Sequence, residues 1–348
     1  MLYILRLITA LLILSIISAC GGGSGGGGGG GSSGGGGGNP AGIQQFNGTI
    51  SPAWVVSDAA ANVYRTAEYD NQWGLEAIHA AEAYAALNQN GKTVAGDNIK
   101  VAIVDTGVVT NHPDIQANLD VADSYNYFND NNNISDQNGH GSNVSSIAAG
   151  VKNNIGTQGV AFDATIVASN TYCCDVGGHA ALGNTDLAIA DSAVISGVRV
   201  INASFGGNNA TVTQDTIDAV TIAKNHDVLF VAAAGNAGAN TPYQPAAIAT
   251  NASLAGYVLA VAAVGDDSVI ANFSNQCGDA KEYCLVAPGV GITGATYNAA
   301  DPTHFYVADY SGTSQAAPHV TGAAALLAYN WYRTAKGLDE IDWENLHL

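Results

Sequence analysis

The sequence predicts an α/β fold in three layers, α/β/α, with a mostly parallel central sheet. Three observations carry the expectation. Five apolar runs are continuous where half-wet strands would alternate with polar residues, and continuous runs mark strands buried on both faces. Segments with helical spacing separate these runs, the arrangement that parallel strands require. Asp105, Ser204 and Asn236 fall at or just beyond the ends of runs, where sheets of this kind gather active residues.

Taken in order, the chain begins outside that fold. Residues 1–19, MLYILRLITALLILSIISA, carry one cation, Arg6, and then an apolar run too short for a stable membrane span, which is the pattern of a signal peptide. Ile17-Ser18-Ala19-Cys20 resembles the lipobox of bacterial lipoproteins, so Cys20 is the expected lipidation site; plain secretory cleavage nearby is the alternative. Every residue from Gly21 to Gly38 is Gly or Ser. Residues 20–40 therefore form a flexible tether with a mean reach of roughly 25 Å. Residues 41–66 show no pattern strong enough to assign.

The remainder, 67–348, suits one large domain. Its strand candidates are 99–105 (IKVAIVD), 164–169 (ATIVAS), 199–204 (RVINAS), 228–233 (VLFVAA) and 258–264 (VLAVAAV). Helical spacing runs over 75–86, 142–151, 185–196, 213–225 and 314–330. Charged residues make up 11% of the chain, yet the net charge is −19. Nucleic acid and anionic membrane surfaces would be repelled, so neither is an expected partner. A monomer is expected. Five cysteines fit an oxidising compartment. Cys277 and Cys284 close a short loop, CGDAKEYC, and are the expected disulfide. Cys173 and Cys174 are neighbours whose pairing would strain the backbone; CCDVGGH, residues 173–179, reads either as a metal motif or as unpaired or strained thiols.

Chemistry enters at Asp105-Thr106-Gly107, the tripeptide that carries the acid of an aspartic protease. That mechanism needs two carboxylates sharing a proton, and one such tripeptide is present. The other role for Asp105 is to orient a histidine. In NGHGSNVSSIAAG, His140 opens an apolar helix with glycine on either side. In YSGTSQAAPHVTGAAALLAY, Ser314 enters a long small-residue helix, where free N–H groups can stabilise an oxyanion; a simple helix cap is the plain alternative. In VLFVAAAGNAG, Asn236 presents an amide at a strand end.

Together these stretches resemble the subtilisin-like serine proteases. The matches are VAIVDTGV around Asp105, GHGSNV around His140, AAAGN ending at Asn236, and SGTSQAAPHVTGAAALL around Ser314, in the order Asp, His, Ser that this family uses. The likeness runs from about Tyr69 to residue 330 and points to the lipoprotein or autotransporter-like type of Gram-negative bacteria, held at the outer membrane or cell surface, or secreted. It implies a serine endopeptidase acting on polypeptides, with a catalytically silent peptide-binding module as the alternative. Asp105 would orient His140, His140 would activate Ser314, and Asn236 would hold the oxyanion. Ser204, Phe205 and Gly206, with Ala233, Ala234 and Gly235, would flank an extended peptide as added strands do. Phe205 reads equally as a core residue.

The resemblance also implies a structural calcium ion, held by Asp114, Asn153 and the carbonyls of Val151, Ile155 and Thr157. The spacing from His140 to Val151 matches the family's. His112 and His319 fall in matched motifs as structural residues. Three departures stand near the site: Ser142 and Asn143 replace the more usual Thr and His, and Gln315 replaces the usual Met, removing an oxidisable thioether. No stretch resembles a folding-assistant propeptide. The chain ends about 34 residues after Ser314, which suggests a domain truncated at its C-terminus.

Overall fold

The computed structural model describes residues 57–88, 95–172, 183–297 and 305–335. The signal segment, Cys20, the Gly/Ser tether and the Cys173–Cys174 pair lie outside the described residues.

Four short helices come first: α1 (Asp58–Asn62), α2 (Ala67–Asp70), α3 (Trp73–Ala77) and α4 (Ala80–Leu87). The first of them falls in the stretch that the sequence left unassigned. Ser57 caps it, its hydroxyl accepting the Ala60 N–H, and five residues are too few to display a period. The single helix expected over 75–86 is two, because His79 takes a left-handed conformation (φ 55°) between α3 and α4. Arg65 binds both Glu76 and Glu82 and ties these helices together.

The main domain follows as β1 (Lys100–Asp105), α5 (Pro113–Gln116), β2 (Tyr125–Asn126), α6 (His140–Ala149), β3 (Thr165–Asn170), α7 (Thr185–Val194), β4 (Val198–Ala203), α8 (Gln214–Asn225), β5 (Leu229–Ala233), β6 (Val258–Val264), β7 (Cys284–Pro288), β8 (Ile292–Thr296), β9 (Tyr306–Tyr310) and α9 (Thr313–Ala335). Seven strands form a parallel sheet in the order β2-β3-β1-β4-β5-β6-β7, and β8 and β9 form a separate antiparallel pair. The five apolar runs are its five interior strands, each within a residue of the expected bounds. The strands that the sequence did not show are β2, β7, β8 and β9. Each has five residues or fewer and lies at a sheet edge or in the antiparallel pair, too short for its apolar residues to stand out as a run. Cys277 and Cys284 are joined, Cα to Cα 5.6 Å, fixing the start of β7.

Side chains alternate between two cores along every interior strand. Val101, Ile103, Val200, Val231 and Val261 face α6 and α9, while Ala102, Val104, Ile201, Phe230 and Ala260 face α7 and α8. This two-sided burial is why the strands read as unbroken apolar runs. Residues Gly141 to Ala149 of α6 are all buried, and serine, alanine and glycine let that helix lie close to the sheet. The order of strands reverses around β1, which lies between β3 and β4. The crevice beyond the carboxyl ends of β1, β4 and β5 is therefore the expected place for a site.

Candidate active site

β1 delivers Asp105 into this crevice. Its carboxylate is 3% exposed; Oδ1 accepts the Thr106 N–H at 2.7 Å and lies 2.7 Å from His140 Nδ1. A carboxylate at that nitrogen holds the proton on Nδ1 and leaves Nε2 as the basic atom. His140 reaches it because Gly139 turns the chain at φ 96°, and because Gly141 lies against the backbone after β1. A Cβ on Gly141 would stand 2.3 Å from the Gly107 carbonyl oxygen.

Burial is the largest single influence on His140 and works to lower its pKa. The Asp105 charge, its hydrogen bond and the charge of Asp136 together outweigh burial, so the pKa is raised above the ordinary histidine value. Asp136 was not legible as a site residue. It is buried, its own pKa is raised by burial, and it accepts from Thr106 Oγ1 (2.9 Å), Asn138 N (2.9 Å), Gly139 N (2.9 Å), Ser142 N (2.9 Å) and Ser142 Oγ (2.7 Å). Thr106 Oγ1 in turn accepts the Gly141 N–H at 2.7 Å. This network clamps the start of α6 to the end of β1. Ser142, one of the departures from the family pattern, supplies two of its bonds.

α9 carries Ser314 in its first turn. The Ser314 hydroxyl donates to the Ser204 carbonyl at 2.9 Å, and the Ser204 hydroxyl donates to the Ser314 carbonyl at 2.9 Å. The second bond has a cause in the sequence. Pro318 has no N–H to offer the carbonyl four residues before it, so the Ser314 oxygen is orphaned within the helix and Ser204 satisfies it. Ser204 is held by Asn202 Nδ2 (2.9 Å), and Asn202 Oδ1 accepts Thr321 Oγ1 (2.9 Å), all three side chains being buried. Among the described residues, the Ser314 hydroxyl thus bonds to Ser204 and has no bond to His140. The residues that hold the two side chains, Asp105 and Ser204, are nonetheless neighbours. Val104 pairs with Ala203, so Asp105 and Ser204 leave adjacent strands, spaced about 4.8 Å apart.

Asn236 follows β5 through Gly235, which turns at φ 109°. Its Oδ1 accepts both the N–H (2.8 Å) and the hydroxyl (2.9 Å) of Thr313, leaving the exposed NH2 end as the donor end. Buried Asn275 braces the loop by accepting from Ala237 N and Ala239 N and donating to the Ala234 carbonyl. It lies outside every matched motif and no sequence signal pointed to it. Of the expected substrate residues, Ala234 has both backbone groups engaged, its N–H on Val261 and its carbonyl on Tyr243 and Asn275, so it forms a wall and pairs with no added strand. Phe205 packs partly on the second core, and Gly206 faces the Gln244 carbonyl, 2.7 Å from where a Cβ would stand. Ala233 ends β5, and the Gly235 N–H donates to the Thr313 hydroxyl.

The expected metal residues surround Asp114, which opens α5 and is fully buried. Oδ2 accepts the Thr157 N–H at 3.1 Å, Asn153 Nδ2 reaches Oδ1 at 3.4 Å, and Val151 N–H donates to the Asp114 carbonyl at 2.8 Å. Ile155 is largely exposed and donates its N–H to Asn153 Oδ1. Burial raises the Asp114 pKa to about 6, and the nearby Glu68 charge adds to this. Among the described residues no cluster of three His, Cys, Asp or Glu side chains could hold a metal. His112 caps α5 by accepting the Asp114 N–H, and buried His319 donates Nδ1–H to the Gln315 carbonyl, its pKa lowered to about 4 by burial.

A parallel sheet with an acid, a histidine, a serine at a helix start and a strand-end asparagine beyond its carboxyl edge defines a class of α/β hydrolytic enzymes. The Subtilase family model matches residues 96–338, and the chain belongs to that family. It is 34% identical to Subtilisin BL of Lederbergia lenta over 255 residues, covering 73% of this chain and 83% of that protein. It is 34% identical to the Minor extracellular protease Epr of Bacillus subtilis over 265 residues, covering 75% of this chain and 36% of that one. Among solved structures, a cold-adapted subtilisin-like serine proteinase superposes with a TM-score of 0.54 at 27% identity, covering 69% of this chain and 78% of the other.

Proposed function

We propose that this chain is a serine endopeptidase acting through Asp105, His140 and Ser314, with Asn236 and the Ser314 N–H holding the oxyanion. The observation that carries the reading is the 2.7 Å contact between Asp105 Oδ1 and His140 Nδ1, in a pocket that raises the histidine's basicity. In the reaction the Ser314 hydroxyl would leave the Ser204 carbonyl and donate instead to His140 Nε2. Nε2 takes the proton as Oγ forms a bond to the substrate carbonyl carbon, and the carbonyl π electrons move onto oxygen. The Asn236 amide and the Ser314 N–H meet that charge. Collapse breaks the C–N bond, His140 returns the proton to the departing amine, and water then releases the acyl group by the reverse roles.

The position of the Ser314 hydroxyl favours one other reading, a silent module that holds extended peptides. A serine-directed fluorophosphonate separates the two. Labelling of the wild type and none of Ser314→Ala supports the peptidase; a folded wild-type protein that stays unlabelled supports the module.

The residues around Asp114 fit a calcium ion: a buried carboxylate short of positive charge, a second buried carboxylate at Glu68, and Gly156, where a Cβ would lie 2.3 Å from Asp114 Oδ2. Asp114, Asn153 with its amide turned, and the carbonyls of Val151, Ile155 and Thr157 would hold it, and it would stabilise the loop. The expected signal segment and Cys20 support export and lipid anchoring, and the likeness to the Minor extracellular protease Epr supports export; no helix among the described residues is long and apolar enough to cross a membrane. Mass spectrometry of the mature N-terminus tests the anchor: an unmodified start elsewhere overturns it.

A further inference from the structure

Two of the departures from the family pattern meet in space. Gln315 Nε2 donates to Asn143 Oδ1 at 3.1 Å, with Asn143 fully buried and Gln315 2% exposed. Asn143 lies one helical turn after His140, and Gln315 directly follows Ser314. The pair therefore spans the gap between the two helices that carry the proposed base and nucleophile. Both amides are walled in. Asn143 Nδ2 also reaches the Ala308 carbonyl of β9 at 3.5 Å; a Cβ on Gly294 would stand 2.5 Å from that nitrogen, and one on Gly312 would stand 2.9 Å from Gln315 Oε1.

We propose that the Asn143–Gln315 bridge is a positioning device that sets the first turn of α9 against the first turn of α6, and so holds Ser314 at working distance from His140. The inference rests on the peptidase reading. Its logic is the asymmetry of buried hydrogen bonds. Removing one partner strands the other without water, whereas replacing both by apolar groups of like shape is nearly neutral. Leu matches the shape of Asn, and Met that of Gln. The two positions are thus expected to depend on each other, although they are separated by 172 residues. A displacement of the nucleophile by a fraction of an ångström acts on turnover more than on substrate binding.

The test is a double-mutant cycle on the full chain with a chromogenic peptide substrate. Gln315→Met and Asn143→Leu are each expected to lower kcat about tenfold with KM changed by less than about twofold, and the double variant to recover to within about threefold of wild type. Losses that multiply in the double variant, or that fall on KM, overturn the bridge. Should Asn143→Leu fail to fold, Gln315→Met decides alone: an unchanged kcat overturns it. If the wild type folds but neither hydrolyses nor labels, the peptidase reading falls separately. The bridge is then judged by amide hydrogen exchange in the first turns of α6 and α9. Exchange faster in each single variant and restored in the double supports it, and unchanged exchange overturns it.

Discussion

The two helices that meet at the site start in opposite ways. At α6 each early N–H is taken by a side chain: His140 N by Asn138, Gly141 N by Thr106 and Ser142 N by Asp136. At α9, Thr313 N goes to Asn236 and Gln315 N to the Gly312 carbonyl, and the Ser314 N–H is left unused by the helix itself. One start is closed and carries a negative charge. The other keeps a donor and the positive end of a long helix aimed at the crevice. The difference suits the two roles proposed for them. A base needs its conjugate acid stabilised, which Asp136 and Asp105 do; a nucleophile that generates an oxyanion needs an open donor beside it.

The largest effects should fall on the residues of the proposed triad. His140→Ala is expected to lower kcat about 10⁶-fold, the magnitude that loss of the corresponding group has in subtilisin, measured as peptide hydrolysis. Asp105→Asn should cost about 10⁴-fold, as it does in a trypsin-like triad, and should also move the acid limb of kcat/KM to lower pH because the raising charge is gone. The sign follows from the raised His140 pKa. Activity needs neutral imidazole and appears as pH rises through that pKa. The same raised value means the histidine's contribution to stability is fully present below its unfolded value, about 6.5, and is lost as pH rises through the folded one. Activity and this part of stability should therefore change in opposite directions over one window, as parallel pH profiles of turnover and melting temperature would show.

At the open start, Asn236→Leu should lower kcat about 10²–10³-fold with little change in KM, as removing an oxyanion donor does in subtilisin. At the closed start, Asp136→Asn cannot accept at both oxygens and turns an amide toward N–H donors. It should destabilise the fold by about 1.5–3 kcal/mol in denaturant unfolding, while shifting the acid limb downward. A limb that does not move would show that α6 is merely clamped and not electrically tuned. Smallest is Thr321→Val, which frees Asn202 Oδ1 two bonds away from Ser314 and should cost about 1 kcal/mol of stability with kcat within about threefold. Calcium removal sharpens the contrast from outside: a chelator should lower the melting temperature without shifting the pH limb, and an unchanged melting point would remove the ion from the account.

Much of this was written locally. Runs such as VAIVD and VLFVAA announce buried parallel strands because both faces are covered, and the motifs around Asp105, His140, Asn236 and Ser314 are short enough to recognise in isolation. Edge strand β7 and the β8–β9 pair gave no such signal, since each is only five residues long. Helix α1 and the break at His79 were too short or too dependent on one left-handed residue to show as a period.

The order of chemical groups along the chain, and the strands that end at them, were thus determined by the sequence itself. What only the tertiary structure decided is who meets whom: Asp136 under the start of α6, Asn275 beneath the Asn236 loop, Ser204 answering the carbonyl that Pro318 orphans, and Gln315 against Asn143. Local patterns record which faces of an element are dry. They hold no information on buried polar partners far apart in the chain, because such partners are chosen by close packing and by the need to satisfy every group taken out of water.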